Sequence, residues 1–171
     1  MIKFDDLWEA HATISDVDTP CMVDGKPAFS NQCAIRVGNA LALCGFDTTT
    51  LPGAEHCWHH PKSEGHILRA EQLANALQKH RPSSFAEGVS IPVADFKDHI
   101  EDQQGIIFFK DYWLRNSDAP DQPTGDHIDL WNGSRLTDWT SWIRINMGLS
   151  IEGVWSDFEA SQKIIFWKAL K

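Results

Sequence analysis

The chain has 171 residues, 42% of them hydrophobic, and a net charge of −9, which fits one domain (residues 1–171) around one core and excludes a disordered chain. The acidic excess repels phosphate, so nucleic acid and anionic membrane surfaces are disfavoured as partners. No apolar run reaches the roughly 18 residues that a spanning helix needs, and Met1-Ile2-Lys3-Phe4-Asp5-Asp6 lacks the basic-then-apolar order of a Sec signal peptide.

Phe4, Leu7, Trp8, His11 and Ala12 lie at helical spacing and predict a first helix over 4–12. Residues 14–30 are polar, with Asp, Pro and Gly, and read as a loop. A helix over about 31–44 follows, with Ser30 or Asn31 as N-cap and Gly45 where a terminating glycine belongs. Residues 46–64 read as a long excursion. Leu68, Leu73, Ala76 and Leu77 give a helix over 67–80 that Pro82 stops. A short helix is expected over 93–102. Gly105 then opens an apolar run, Ile106-Ile107-Phe108-Phe109, that suits a central strand buried on both faces. A loop over 115–126 leads to a hairpin over 127–138, and 144–147 and 163–170 are later strand candidates. Helices first and strands later predict an α+β fold, with N-terminal helices packed on a C-terminal antiparallel sheet.

Two elements carry chemistry. The first is Asn31-Gln32-Cys33-Ala34-Ile35-Arg36, where Cys33 falls in the opening turn of a helix. Free N–H groups and the positive dipole end favour an anion there, and a thiolate is the nucleophile in cysteine hydrolysis. The Cys33 N–H can contribute to an oxyanion hole, and Gln32 can add a side-chain donor. Cys44, near the other end of the helix, is the poorer nucleophile.

The second is His127-Ile128-Asp129-Leu130-Trp131-Asn132-Gly133-Ser134-Arg135-Leu136-Thr137-Asp138. Asn-Gly signals a two-residue type I′ turn. Counting back from Asn132-Gly133 sets Trp131 opposite Ser134 and His127 opposite Asp138. A carboxylate there fixes the imidazole tautomer and raises its basicity. Asp129, two residues along the same strand, is a rival for that role and ranks below Asp138. Trp131 is a candidate for substrate contact.

His56, Cys57, His59, His60 and His66 together invite zinc, but the spacing is not that of a usual finger, and the segment reads as a solvated loop. Four cysteines, Cys21, Cys33, Cys44 and Cys57, show no regular framework. Reduced thiols are expected, although one disulfide among Cys21, Cys44 and Cys57 fits an oxidising compartment.

Taken together, the Cys helix and the His hairpin resemble the type VI secretion amidase effectors, family four. That family has an Asn-x-Cys-x-Ile-Arg stretch opening a helix and a Gly-His-x-x-Leu-Trp-Asn-Gly stretch. Here the latter is Gly125-Asp126-His127-Ile128-Asp129-Leu130-Trp131-Asn132-Gly133, with one extra residue between Gly and His. The family's Asp lands on Asp138, and its Gly-Ile-Ile strand on Gly105-Ile106-Ile107. The resemblance covers about residues 4–142. It departs near Asp138, where Arg135 and Trp139 stand and the cysteines of some members are missing. It implies a papain-like (NlpC-type) fold, a Cys33–His127–Asp138 triad, and no cofactor or metal. It further implies hydrolysis of the γ-D-glutamyl–diaminopimelate bond of peptidoglycan stem peptides. Delivery would run through the type VI secretion tube or spike, without a signal peptide, into a target cell's periplasm. A cognate immunity protein would be the partner in the producing cell. A papain-like hydrolase acting on another amide or acyl group, or a zinc module, are the alternatives.

Overall fold

The computed structural model describes residues 1–17, 19–113, 124–137 and 161–170. In chain order these form α1 (Phe4–Ala10), a small hairpin of β1 (Met22–Val23) and β2 (Lys26–Pro27), α2 (Cys33–Leu43), α3 (Ala70–Lys79), β3 (Val89–Ile91), α4 (Phe96–Ile100), β4 (Gly105–Trp113), β5 (Gly125–Trp131) and β6 (Lys163–Lys168). Two 3₁₀ turns, Thr48–Thr50 and Lys62–Glu64, lie in the segment between α2 and α3.

Among the described residues four strands make one antiparallel sheet in the order β3-β6-β4-β5, in which β4 is interior and β5 is an edge. The apolar run on β4 divides by period two, as a strand buried on both faces must. Ile106 and Phe108 join Ile128, Leu130, Ile165 and Trp167 beneath the helices, against residues such as Leu7, Val37, Leu41, Leu73 and Leu77. Ile107 and Phe109 face the other way and meet Phe96 and Ile100 of α4, with Trp131, Leu136, Ile164 and Phe166. Each fully buried Leu, Ile or Phe removes enough surface from water to contribute about 1.5–3 kcal/mol. The two clusters clamp β4 from both sides.

α2 and the loop before α3 approach each other very closely. A Cβ built on Gly38 would run into the carbonyl oxygen of Gly65, and one on Gly65 into that of Gly38. Gly65 also has φ 72°, a left-handed conformation that glycine adopts without strain. The pair fastens the 62–66 loop directly to the helix that begins with Cys33.

Several expectations change in detail. α2 starts at Cys33, not at 31, with Gln32 as N-cap. Residues 14–30 contain the β1–β2 hairpin, turned by Asp24 (φ 50°) and Gly25 (φ 73°), an Asp-Gly signal of the same type as Asn-Gly. β3 was not expected; it is short, partly exposed and followed by Pro92, as suits an edge strand. β5 begins at Gly125, inside the expected 115–126 loop. The strand candidate at 144–147 lies outside the described residues.

The hairpin register also differs. Trp131 bridges Leu136, not Ser134, so the connection has four residues and not two. The Asn132 side chain is the cause. Its Oδ1 accepts from the Ser134 N–H (3.0 Å), the Arg135 N–H (2.9 Å) and the Ser134 hydroxyl (3.0 Å), while the Asn132 N–H donates to the Arg135 carbonyl at 3.1 Å. An Asn that folds the chain through its own side chain favours this wider turn over type I′. The two-residue turn from which the count to Asp138 began is therefore not the turn that forms, and Asp138 itself lies outside the described residues.

Candidate active site

Cys33 is the first residue of α2 and is 7% exposed. The turn before it is shaped by Asn31, whose Oδ1 accepts the Cys33 N–H at 3.1 Å, and by the Gln32 carbonyl, which accepts the first helical bond from the Arg36 N–H at 2.8 Å. His127 comes from the edge strand β5. It sits across from Phe109 on β4, and the two rings stack with centroids 6.4 Å apart and planes 21° apart. That ring packing fixes the plane of the imidazole. Cys33 lies close enough to His127 to act on its charge, so helix start and strand bring a thiol and an imidazole together.

Asp129 completes the arrangement. Its Oδ2 lies 3.7 Å from His127 Nε2, and its Oδ1 lies 3.7 Å from Nε2 of His11, which follows α1. Oδ1 also accepts the Leu130 N–H at 2.7 Å and the Thr137 hydroxyl. His11, His127 and Asp129 are all buried. Such a carboxylate needs several donors to stay ionised out of water, and here it has them.

The electrostatics follow from these contacts. Burial opposes charge on His127, but the interactions with Asp129 and Cys33 outweigh it and lift the ring from 6.5 to about 10. Burial likewise opposes charge on Asp129. The His127 hydrogen bond, the charges of His11 and His127 and the Thr137 hydroxyl reverse that and hold the carboxyl below its usual range. Both shifts favour the imidazolium–carboxylate form of the pair.

A groove of about 800 Å³ opens at Cys33, with Arg69, Glu71, Asp111 and Asp126 on its walls. Burial pushes the Asp126 carboxyl up, against the pull of the Asp111 N–H and of Lys110. A larger hollow of about 920 Å³ lies between residues 1–5 and the 132–134 turn and includes neither Cys33 nor His127.

Of the residues expected at the site, Cys33 and His127 are brought together. Gln32 is not free to face a ligand: its Nε2 donates to the carbonyls of Cys21 (3.0 Å) and Phe29 (3.2 Å), and its Oε1 accepts the Cys21 N–H at 2.9 Å. Trp131 is a core residue, 2% exposed, with its indole N–H on the Ile100 carbonyl at 3.0 Å and its ring against Phe96. It faces the α4 layer and not the groove. Cys44 lies at the end of α2, where burial and then Asp6 push its thiol up. Asp129 was placed second to Asp138 and proves to be the carboxylate beside His127 among the described residues. His11 was read only as part of an apolar stripe; nothing in its spacing marks it as a partner of Asp129.

Residues 29–167 match the family described as type VI secretion system amidase effector protein 4, and the match runs well past residue 142. No curated protein sequence matches the chain significantly. Among solved structures, the fold resembles the type VI effector Tae4 from Enterobacter cloacae, with TM-score 0.63 and 18% identity over 100% of this chain and 98% of that one. It also resembles Tae4 from Salmonella typhimurium in complex with the immunity protein Tai4 from Enterobacter cloacae, with TM-score 0.61 and 17% identity over 100% of both chains. At that identity the likeness speaks for the fold, and the sequence match speaks for the family. The chain belongs to the type VI secretion system amidase effector protein 4 family.

Proposed function

We propose that the protein is a cysteine amidase of papain-like (NlpC-type) fold that hydrolyses the γ-D-glutamyl–diaminopimelate bond of peptidoglycan stem peptides. The observation that carries this reading is that one buried imidazole, His127, interacts with both the Cys33 thiol and the Asp129 carboxylate. The Cys33 sulfur attacks the γ-carbonyl carbon, and the imidazolium of His127 gives its proton to the departing diaminopimelate amine. A thioester remains. His127, now neutral, takes a proton from water as the water oxygen attacks the thioester. The sulfur leaves, and the D-glutamyl γ-carboxylate is released. The sum is one water added across one amide. The Cys33 N–H, released from Asn31, is a main-chain donor for the developing oxyanion.

The groove supports a substrate that carries both signs of charge. A γ-linked stem peptide presents a free α-carboxylate on D-glutamate and amine and carboxylate groups on diaminopimelate. Arg69 suits the former, and Glu71, Asp111 and Asp126 suit an ammonium. Family membership supports delivery through the type VI tube or spike to a target cell's periplasm, and the complexes of Tae4 with Tai4 support a cognate immunity protein as partner.

Two carboxylates enter this reading as the group that orients His127. Asp129 is favoured by its 3.7 Å approach to the ring. Asp138 is favoured by resemblance to the family pattern. The test of the activity is digestion of purified muropeptides, with products weighed by mass spectrometry. The wild type should release the diaminopimelate-side fragment. Cys33→Ala and His127→Ala should each reduce turnover by at least about 10³-fold. Retained activity in either variant would rule out the proposed mechanism.

A further inference from the structure

The His- and Cys-containing loop that looks solvated in the sequence is partly turned inward. Cys57 and His66 are held side by side by a short antiparallel bridge: the Cys57 N–H donates to the His66 carbonyl at 2.7 Å, with His56 paired to Ile67. The turn between them brings His60 back over Cys57. The fourth member is Cys21, far away in sequence, held at this spot by Gln32 through both its N–H and its carbonyl. His56 and His59 do not join. His56 Nε2 is 3.1 Å from the Thr48 carbonyl oxygen, and the His59 ring lies against Trp58.

We propose that Cys21, Cys57, His60 and His66 form a tetrahedral Cys₂His₂ site for a structural Zn²⁺. This site is separate from the Cys33–His127 pair and does not depend on the hydrolase reading. The ligand atoms of all four lie within 4.8 Å of one another. The two sulfurs are 3.4 Å apart, and His60 Nδ1 is 3.5 Å from each of them. Zinc–sulfur bonds of about 2.3 Å and zinc–nitrogen bonds of about 2.0–2.1 Å in a tetrahedron require ligand edges of roughly 3.3–3.8 Å. Two thiolates and two imidazoles are the donor set that zinc favours.

Two further observations point to a cation and away from a plain sulfur–sulfur contact. His66 is 3% exposed, and its Nδ1 is buried with no hydrogen-bond partner, while its Nε2 lies 3.8 Å from the Glu64 carboxylate. A carboxylate on one imidazole nitrogen commonly orients the other toward a metal. The His59 N–H donates to the Cys57 sulfur at 3.3 Å, which satisfies a lone pair that a thiolate ligand keeps. On binding, Cys21 and Cys57 each release one proton and their sulfurs each form one bond to zinc. No redox step is involved.

The consequence for the fold is a clamp at the start of α2. Cys21 is tied to Gln32, the residue before Cys33, and His66 follows Gly65, which sits against Gly38 of α2. A metal joining these two segments fixes the helix start from two directions.

The test uses the full chain, purified under reducing conditions and supplied with Zn²⁺ or Co²⁺. One equivalent of zinc should be retained through dialysis, and Co²⁺ should give the intense visible bands of tetrahedral coordination with thiolate charge-transfer bands in the near ultraviolet. Chelation should lower the Tm by about 5 °C or more, restored by zinc. Cys21→Ser and His66→Gln should each lose the bound zinc, while Cys44→Ser should keep it. The cobalt spectrum of the wild type decides the matter even if a variant fails to fold. An octahedral spectrum or no bound metal would overturn the proposal, as would zinc retained in full by both Cys21→Ser and His66→Gln. A Cys21–Cys57 disulfide, seen as a loss of two hydrogens in mass when the chain is oxidised in the presence of zinc, would overturn it in favour of a redox cross-link.

Discussion

Asp129 lies between two buried histidines and also accepts from Thr137 and from its neighbour's N–H. Replacing it with Asn keeps the shape and the acceptor oxygen but removes the charge that holds the His127 proton. If Asp129 orients His127, Asp129→Asn should lower kcat by about 10²–10⁴-fold with little change in KM. The His127 ring should then titrate closer to 6.5, read by nitrogen chemical shifts. Asp138→Asn, measured alongside, should cost less. The opposite order would assign the orienting role to Asp138. Cys33 and His127 were legible in the sequence because each sits in a local context with chemical meaning, a helix start and a strand beside a turn. Asp129 was visible only as a same-face neighbour of His127 at spacing two. His11 and Cys21 carry no local signal at all: their roles arise from contacts across 118 and 36 positions, to Asp129 and Cys57.

At the scale of elements, α2 does two jobs: its first residue is the proposed nucleophile, and its middle accepts a loop at Gly38. The Gly38–Gly65 approach is main chain against main chain, so neither side can yield by changing a rotamer. Gly38→Ala should raise intrinsic helix propensity by about 1 kcal/mol, yet overpacking should cost about 1–3 kcal/mol or more. A net loss of stability is expected, seen as a lower urea midpoint, together with weaker metal retention if the loop moves. An unchanged or raised midpoint would show that the loop can withdraw. Helix existence was legible from periodicity, as Leu73, Ala76 and Leu77 on α3 illustrate, and β4 was legible from its unbroken apolar run. β3 was not, because Val89 and Ile91 are too few and too exposed to make a pattern. The hairpin turn was half legible. Asn132-Gly133 marks a reversal, but the backbone bonds made by the Asn132 side chain, and not the dipeptide, set the register.

Across the whole molecule, His127 and Asp129 are buried by the fold itself, so fold stability and ionisation of the candidate site are linked. The His127 ring rises to about 10 in the folded chain from 6.5. The fold therefore favours the protonated ring, and that contribution is complete below about pH 6.5 and lost as pH rises through about 10. Asp129 works in the opposite sense: its carboxyl is held below 3.8, so its contribution is present above that value and lost on further acidification. The favourable window for the pair thus spans mildly acidic to neutral conditions. Urea midpoints of the wild type and His127→Gln, measured from pH 6 to pH 10.5, isolate the histidine from the other titrating groups. The stability advantage of the wild type should shrink steadily across that range. Turnover should fall on the same alkaline limb, because the departing amine then finds no proton on His127. A difference that stays constant with pH would mean that the ring is neutral throughout, and the proton delivered to the amine would have to come from elsewhere.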